Sequence, residues 1–168
     1  MDIISHGLWG AIAFGRENRK LFGYSFLLGM APDLVSFGFY TVGTWFGIFS
    51  HPDWRSGEHP IPGEIPVFVH TLYNYSHSLI VFFVVFGLIW LFFHRPIWPV
   101  AAWGLHILVD IPTHAADFFP TPFLFPLSDF HINGISWSNP IIFFPNVLLL
   151  FMGLIWFLWR YCASKKEL

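Results

Sequence analysis

The chain has 168 residues, of which 55% are apolar and 11% charged, and its net charge is −2. A soluble domain carries about 25% charged residues, so this composition excludes an ordinary water-soluble globule, and the slight negative charge argues against nucleic acid as a partner. Aromatic side chains reach 21%, with 22 Phe and 9 Trp, a content suited to lipid-facing surfaces and interfacial belts.

The length fits a single domain over residues 1–168. A lone cysteine, Cys162, excludes an internal disulfide. Asp2 stands where a secretory signal carries basic residues, so no such signal is expected at the start. The same Asp2 is a strong N-cap residue and predicts a short helix to about Phe14, too short to span a bilayer. That segment dips into the membrane or lies along it. Arg16, Glu17, Asn18, Arg19 and Lys20 form a polar junction. Leu21 to Phe49 is long enough for a tilted span, interrupted at Pro32-Asp33, with Gly43 and Gly47 spaced for close packing within the bundle. His51 to Pro66 reads as a loop rich in Pro and Gly. Val67 to Phe93 is the second long apolar span and carries His70, Asn74 and His77. His94-Arg95-Pro96 is a tight turn. Ile97 to Ala115 is the third span, whose end Pro112 can kink. Ala116 to Asn139 is a second loop, with Pro120, Pro122 and Pro126 among many Phe. Pro140 to Trp159 is the last span, followed by Arg160, Lys165 and Lys166. The expected fold is an all-α integral membrane protein of about four transmembrane helices plus a short N-terminal helix.

Charge placement orients these spans. Arg16, Arg19, Lys20, Arg95, Arg160, Lys165 and Lys166 fall on one side, whereas the opposite loops hold only Arg55 among Asp53, Glu58, Glu64, Asp117 and Asp129. By the positive-inside rule, the Arg16–Lys20 junction and the C-terminus face the cytoplasm of a multi-pass protein.

The stretch Gly104 to His114 organises the chemistry. His106, Asp110 and His114 recur at intervals of four, so on a helix they share one face. Ionisable groups inside apolar helices are costly and need partners. The partner that suits several imidazoles and carboxylates together is a divalent metal. At about 1.5 Å per residue from the cytoplasmic ends, Asp33 lies roughly 18 Å deep, His106 roughly 14 Å, Asp110 roughly 20 Å and His77 roughly 24 Å. His6 lies roughly 14 Å deep if the first helix dips in from the same side. Four segments thus offer a His or Asp at a similar level. Each group also has a plainer use. His106 and Asp110 can hydrogen-bond across one turn, Asp33 can cap a helix after the proline, and the serines flanking His77 can satisfy it. His70 and Asn74 share the His77 face and suit contacts behind the ligands or with substrate, and His114 is either a ligand or a group behind the ligands. His51, His59, His94 and His131 read as surface residues, and Asp117 and Asp129 can line a mouth.

The ordered set Ser5-His6, Pro32-Asp33, Ser76-His77-Ser78-Leu79 and His106-x-x-x-Asp110 resembles the bacterial membrane-bound metal-dependent hydrolases, a family distantly similar to zinc-dependent phospholipase C. The resemblance covers about Met1 to His114. It implies a helical fold, a bacterial cytoplasmic membrane, and the ligand set His6, Asp33, His77, His106 and Asp110. The chain departs where the family commonly carries His-Arg-Gly; here Leu72-Tyr73-Asn74 removes a possible ligand and a possible phosphate clamp.

The expected function is a membrane-embedded metal-dependent hydrolase acting on a lipid or phosphoester. The metal is divalent, zinc first among candidates, as one ion or a pair. Asp33 or Asp110, whichever is free, serves as base for a metal-activated water. The alternative is a proton or metal-ion carrier that uses the same intramembrane residues. A structural protein with a non-catalytic metal staple is a third possibility. Membrane lipid is the expected partner, and the oligomeric state is open.

Overall fold

A computed structural model describes residues 1–50 and 64–164, with side chains to residue 161. The expectations for His51, Asp53, Arg55, Glu58, His59, Lys165 and Lys166 lie outside the described residues. Among those described, the regular structure is helical: α1 (Ile3–Phe14), α2 (Arg19–Asp33), a π-turn (Leu34–Gly38), α3 (Phe39–Trp45), α4 (Val67–Ser76), α5 (Leu79–Phe93), a 3-10 turn (Trp98–Val100), α6 (Ala101–Thr113) and α7 (Pro140–Ser164).

Asp2 caps α1 as its chemistry predicts, accepting from the Ser5 N–H at 2.9 Å. Asn18 caps α2 in the same way, through the Leu21 N–H. Small residues let the two helices nearly touch. A Cβ at Gly10 would sit 2.7 Å from the Ser25 carbonyl, and one at Gly29 only 2.6 Å from the His6 carbonyl.

Helix α2, the π-turn and α3 run as one apolar rod over Arg19–Trp45, 27 residues long. The π-turn begins two residues after Pro32, whose missing N–H takes the helical donor from the Leu28 carbonyl one turn earlier. Within the π-turn Ser36 Oγ donates to the Pro32 carbonyl at 2.9 Å. The chain stays helical through Asp33, whose side chain makes no capping bond, so the cap role expected of it is not used. At the far end Gly43 packs against the ring of Phe49, within its own bundle, and Gly47 turns the chain out at φ +72°.

The span expected over Val67 to Phe93 is two helices that meet at a 58° bend, with His77 at the corner and Ser78 capping α5. The expected tight turn after α5 begins at His94, which adopts the left-handed conformation and stops the helix. Helix α6 is only 13 residues long. Two helices, Arg19–Trp45 and Pro140–Tyr161, are therefore long and apolar enough to cross a membrane, or three spans if the bent pair counts as one. A fourth span over Ile97 to Ala115 is not shown, since α6 is flanked by the 3-10 turn and an extended His114 rather than by further helix.

The segment after α6 folds back over it. Gly134 donates to the His114 carbonyl, Ile135 to that of Pro112 and Trp137 to that of Thr113 at 2.9–3.0 Å, which satisfies carbonyls at the helix end. The same segment reaches the α4–α5 corner, where the Phe123 carbonyl accepts from the Leu79 N–H at 3.0 Å and the Phe125 carbonyl from Ser78 Oγ. Helix α7 is held to α1 by a polar clasp in which Trp9 Nε1 donates to Asn146 Oδ1 and Asn146 Nδ2 to Ser5 Oγ. Most of its other side chains, including Phe144, Leu148, Phe151 and Trp159, face outward, as in a helix solvated by lipid. Arg16 and Arg160 lie over the same ring, Trp156, and Arg16 lines a cavity with Trp98. The α1–α2 junction, the α5–α6 connection and the end of α7 thus share one end of the molecule.

Candidate metal centre

Four of the elements deliver ionisable side chains to one buried point. Helix α6 supplies His106 and Asp110, both buried, on the face predicted from their spacing. The α4–α5 corner supplies His77, α2 supplies Asp33 where it passes into the π-turn, and α1 supplies His6.

The hydrogen bonds set the tautomers. His106 Nδ1 lies 2.7 Å from the Gly29 carbonyl, an oxygen that can only accept, so Nδ1 carries a proton, and in the neutral ring Nε2 is then the free acceptor. His77 Nδ1 lies 3.2 Å from the Tyr73 carbonyl and 3.0 Å from Ser76 Oγ, and the neutral ring that donates from Nδ1 to the carbonyl has Nε2 as its free acceptor. Ser76 thus does satisfy one nitrogen of His77, as expected of a flanking serine, and the other remains for the centre. The two Nε2 atoms face each other at 3.1 Å. Two lone pairs cannot bond each other; a second proton on one ring or a metal ion between them makes the approach favourable.

The carboxylates complete the set. Asp110 Oδ2 is 3.1 Å from His106 Nε2 and 3.7 Å from His77 Nε2; Asp33 Oδ1 is 3.8 Å and 3.4 Å from the same two atoms. A tetrahedral zinc ion with bonds of about 2.0–2.1 Å separates its donors by about 3.3 Å. The observed distances bracket that edge. Asp110 Oδ2 is buried, and the two imidazole Nε2 atoms are its near neighbours, a position from which it accepts from a protonated ring or ligates an ion. The donors fit a divalent metal.

The other oxygen of Asp110 is held from behind. Oδ1 meets His6 Nε2 at 2.9 Å, His114 Nε2 at 3.2 Å and the Met1 nitrogen. The His6 ring stacks on that of His106 with centroids 3.6 Å apart, and its Nδ1 is buried without a partner. His6, Asp33 and His106 also form a second trio whose donor atoms lie within 4.8 Å of one another. His6 therefore stands both behind Asp110 and beside a second possible donor group. The centre is closed on most sides: the His77, His106 and Asp110 side chains are at most 1% exposed, against 20% for Asp33, which marks the open corner.

His114 leaves the helix into an extended conformation yet keeps its contact with Asp110, while its Nδ1 lies 2.9 Å from the Phe119 carbonyl. His70 and Asn74 lie on the His77 face of α4 but further along it. They line a cavity of about 340 Å³ with Tyr73, Phe119 and Asp129, and His70 stacks on Phe119. His131 and Asp129 are exposed on this cavity's rim, and exposed Asp117 lines another beside His114.

Tyr73 was not singled out by the sequence. Its ring stacks on His77 at 3.8 Å, its carbonyl lies 3.2 Å from His77 Nδ1, and its hydroxyl donates to the Phe119 carbonyl at 2.9 Å. The available signal was position: Tyr73 precedes His77 by one helical turn. The Gly29 carbonyl was also missed, and no residue type marks such a group. Comparison with known families, curated proteins and solved structures gives no match, so the chemistry here rests on geometry.

Proposed function

We propose that this protein is a membrane-embedded hydrolase that uses a divalent metal, with zinc best matched to the donor set, on a lipid or phosphoester substrate. The observation that carries the reading is the meeting of the His77 and His106 Nε2 atoms with a carboxylate oxygen of Asp110 at the spacing of one ion's donors, with Asp33 beside the two rings. The resemblance noted in the sequence points the same way.

When bound, such an ion lowers the pKa of a water toward about 7 and polarises a phosphoryl or acyl oxygen. His77, His106 and Asp110 would hold it, because they are buried and their donor atoms form one trio. The Gly29 and Tyr73 carbonyls would keep the two rings in register. Asp33 would hold the attacking water at the open corner and take its proton. A lipid would approach laterally. An apolar groove of about 350 Å³, lined by Leu28, Pro32, Val35, Leu72, Ser76 and Trp103, runs beside Asp33 and His77 in the chain and suits an acyl chain.

The test is turnover of a membrane lipid extract by metal-loaded protein, scored by released headgroup or fatty acid. Asp33→Asn should keep the metal and lose the product. Product formation unchanged in that variant would count against Asp33 as base. Liposome ion flux dependent on Asp33 and Asp110, with no product, would replace the hydrolase by the carrier.

A further inference from the structure

Three arginines gather at the basic end of the molecule, away from the metal centre. The guanidinium carbons of Arg16 and Arg160 lie 6.0 and 5.7 Å from the centroid of one indole, Trp156, and that of Arg19 lies 6.0 Å from the ring of Tyr161, one turn further along α7. Tyr161 stacks in turn on Phe157, which packs against Phe22 of α2. Two chain segments far apart in sequence, the α1–α2 junction and the end of α7, are thus brought together with like charges facing one aromatic shelf.

Among the described residues none of the three guanidiniums is in ion-pair contact with a carboxylate. Like charges held close repel, and the faces of Trp and Tyr offset this only in part. The cluster is exposed and lies where the apolar part of α7 ends at Arg160, the place on a spanning helix where headgroups are met. Beside it, Ala13, Phe14, Arg16, Glu17 and Trp98 line a cavity of about 380 Å³. Guanidinium forks match phosphate oxygens in pairs, which a lone ammonium cannot do.

We propose that Arg16, Arg19 and Arg160, set around Trp156 and Tyr161, form a binding site for the phosphate of an anionic phospholipid headgroup. The lipid pins the end of α7 to the α1–α2 junction. This site does not depend on the metal or on hydrolysis.

Native mass spectrometry of the detergent-purified full chain tests it, with dioleoylphosphatidylglycerol and dioleoylphosphatidylcholine as probes. The wild type should retain the anionic lipid about tenfold better than the zwitterionic one. Arg16→Gln/Arg160→Gln should remove the preference, with the thermal unfolding midpoint as the check on folding. Arg95→Gln, at the same end but outside the cluster, should keep it. Arg16→Lys/Arg160→Lys retains the charge without the fork and should lose most of the preference. Equal retention of the two lipids by the wild type would overturn the site. So would an undiminished preference in the Lys variant, or an equal loss in Arg95→Gln, since either outcome means diffuse charge. Displacement of the bound lipid by millimolar inorganic phosphate would overturn the lipid assignment in favour of a free anion.

Discussion

Replacing Gly29 by Ala tests how the centre is assembled. The new Cβ would lie 2.6 Å from the His6 carbonyl and 3.2 Å from Gly7 Cα. Ordinary carbon contacts sit at about 3.5–4.0 Å, so α1 and α2 must part by roughly 1 Å. Both partners of that clash are backbone atoms and cannot swing aside. Each of the two helices makes one bond of the centre to α6: Gly29 of α2 accepts from His106 Nδ1 at 2.7 Å, and His6 of α1 reaches Asp110 Oδ1 at 2.9 Å. A shift of that size breaks or bends at least one of them. The expected stability loss is roughly 1–3 kcal/mol from overpacking. The expected loss of metal affinity is roughly 10–100-fold, the usual effect of removing a group that orients a ligand. Gly23→Ala supplies the control on the same helix. Nothing lies within 4 Å of its Cβ position, so it should cost nothing or gain roughly 0.5–1 kcal/mol. Chelator competition gives the affinity and thermal unfolding in detergent the stability. If Gly29→Ala matches Gly23→Ala in both measurements, close contact between α1 and α2 does not build this site.

His6→Ala should lower metal affinity roughly 10–100-fold without abolishing binding, because Asp110 Oδ1 keeps His114 as a partner; complete loss in a chelator titration would instead make His6 a direct ligand. Tyr73→Phe removes the hydroxyl bond to the Phe119 carbonyl but keeps the ring on His77, so it should cost roughly 1 kcal/mol in thermal unfolding and leave the metal in place. In Gly134→Ala, the Cβ would meet the Pro112 carbonyl at 2.4 Å, so the covering segment should lift from α6 and become more open to limited proteolysis; an unchanged cleavage pattern would show that the segment is not held there.

The convergence of His6, Asp33, His77, His106 and Asp110 was legible in the sequence because polar groups in apolar segments are expensive, and a shared partner explains them together. The helix starts at Asp2 and Asn18 follow from side-chain chemistry that the sequence displays directly. Other features were hidden. Hydropathy sees one apolar run over Val67 to Phe93, whereas the bend at His77 depends on the covering segment gripping Ser78 and Leu79 from 44 or more residues away. The π-turn after Pro32 could be anticipated only as an interruption, since its hydrogen-bond pattern is a tertiary outcome. The carbonyls of Gly29, Tyr73 and Phe119, which orient the histidines, belong to the backbone and leave no mark in residue type.

Metal content of the detergent-purified protein, measured by elemental analysis beside a His77→Ala/Asp110→Ala variant, bears most directly on the shared site. The wild type should carry at least about one divalent ion per chain and the variant almost none, as expected when two of the ion's direct donors are removed together. Equal metal in the two proteins, or none in a wild type supplied with zinc, would mean that the facing imidazoles and carboxylates do not enclose an ion.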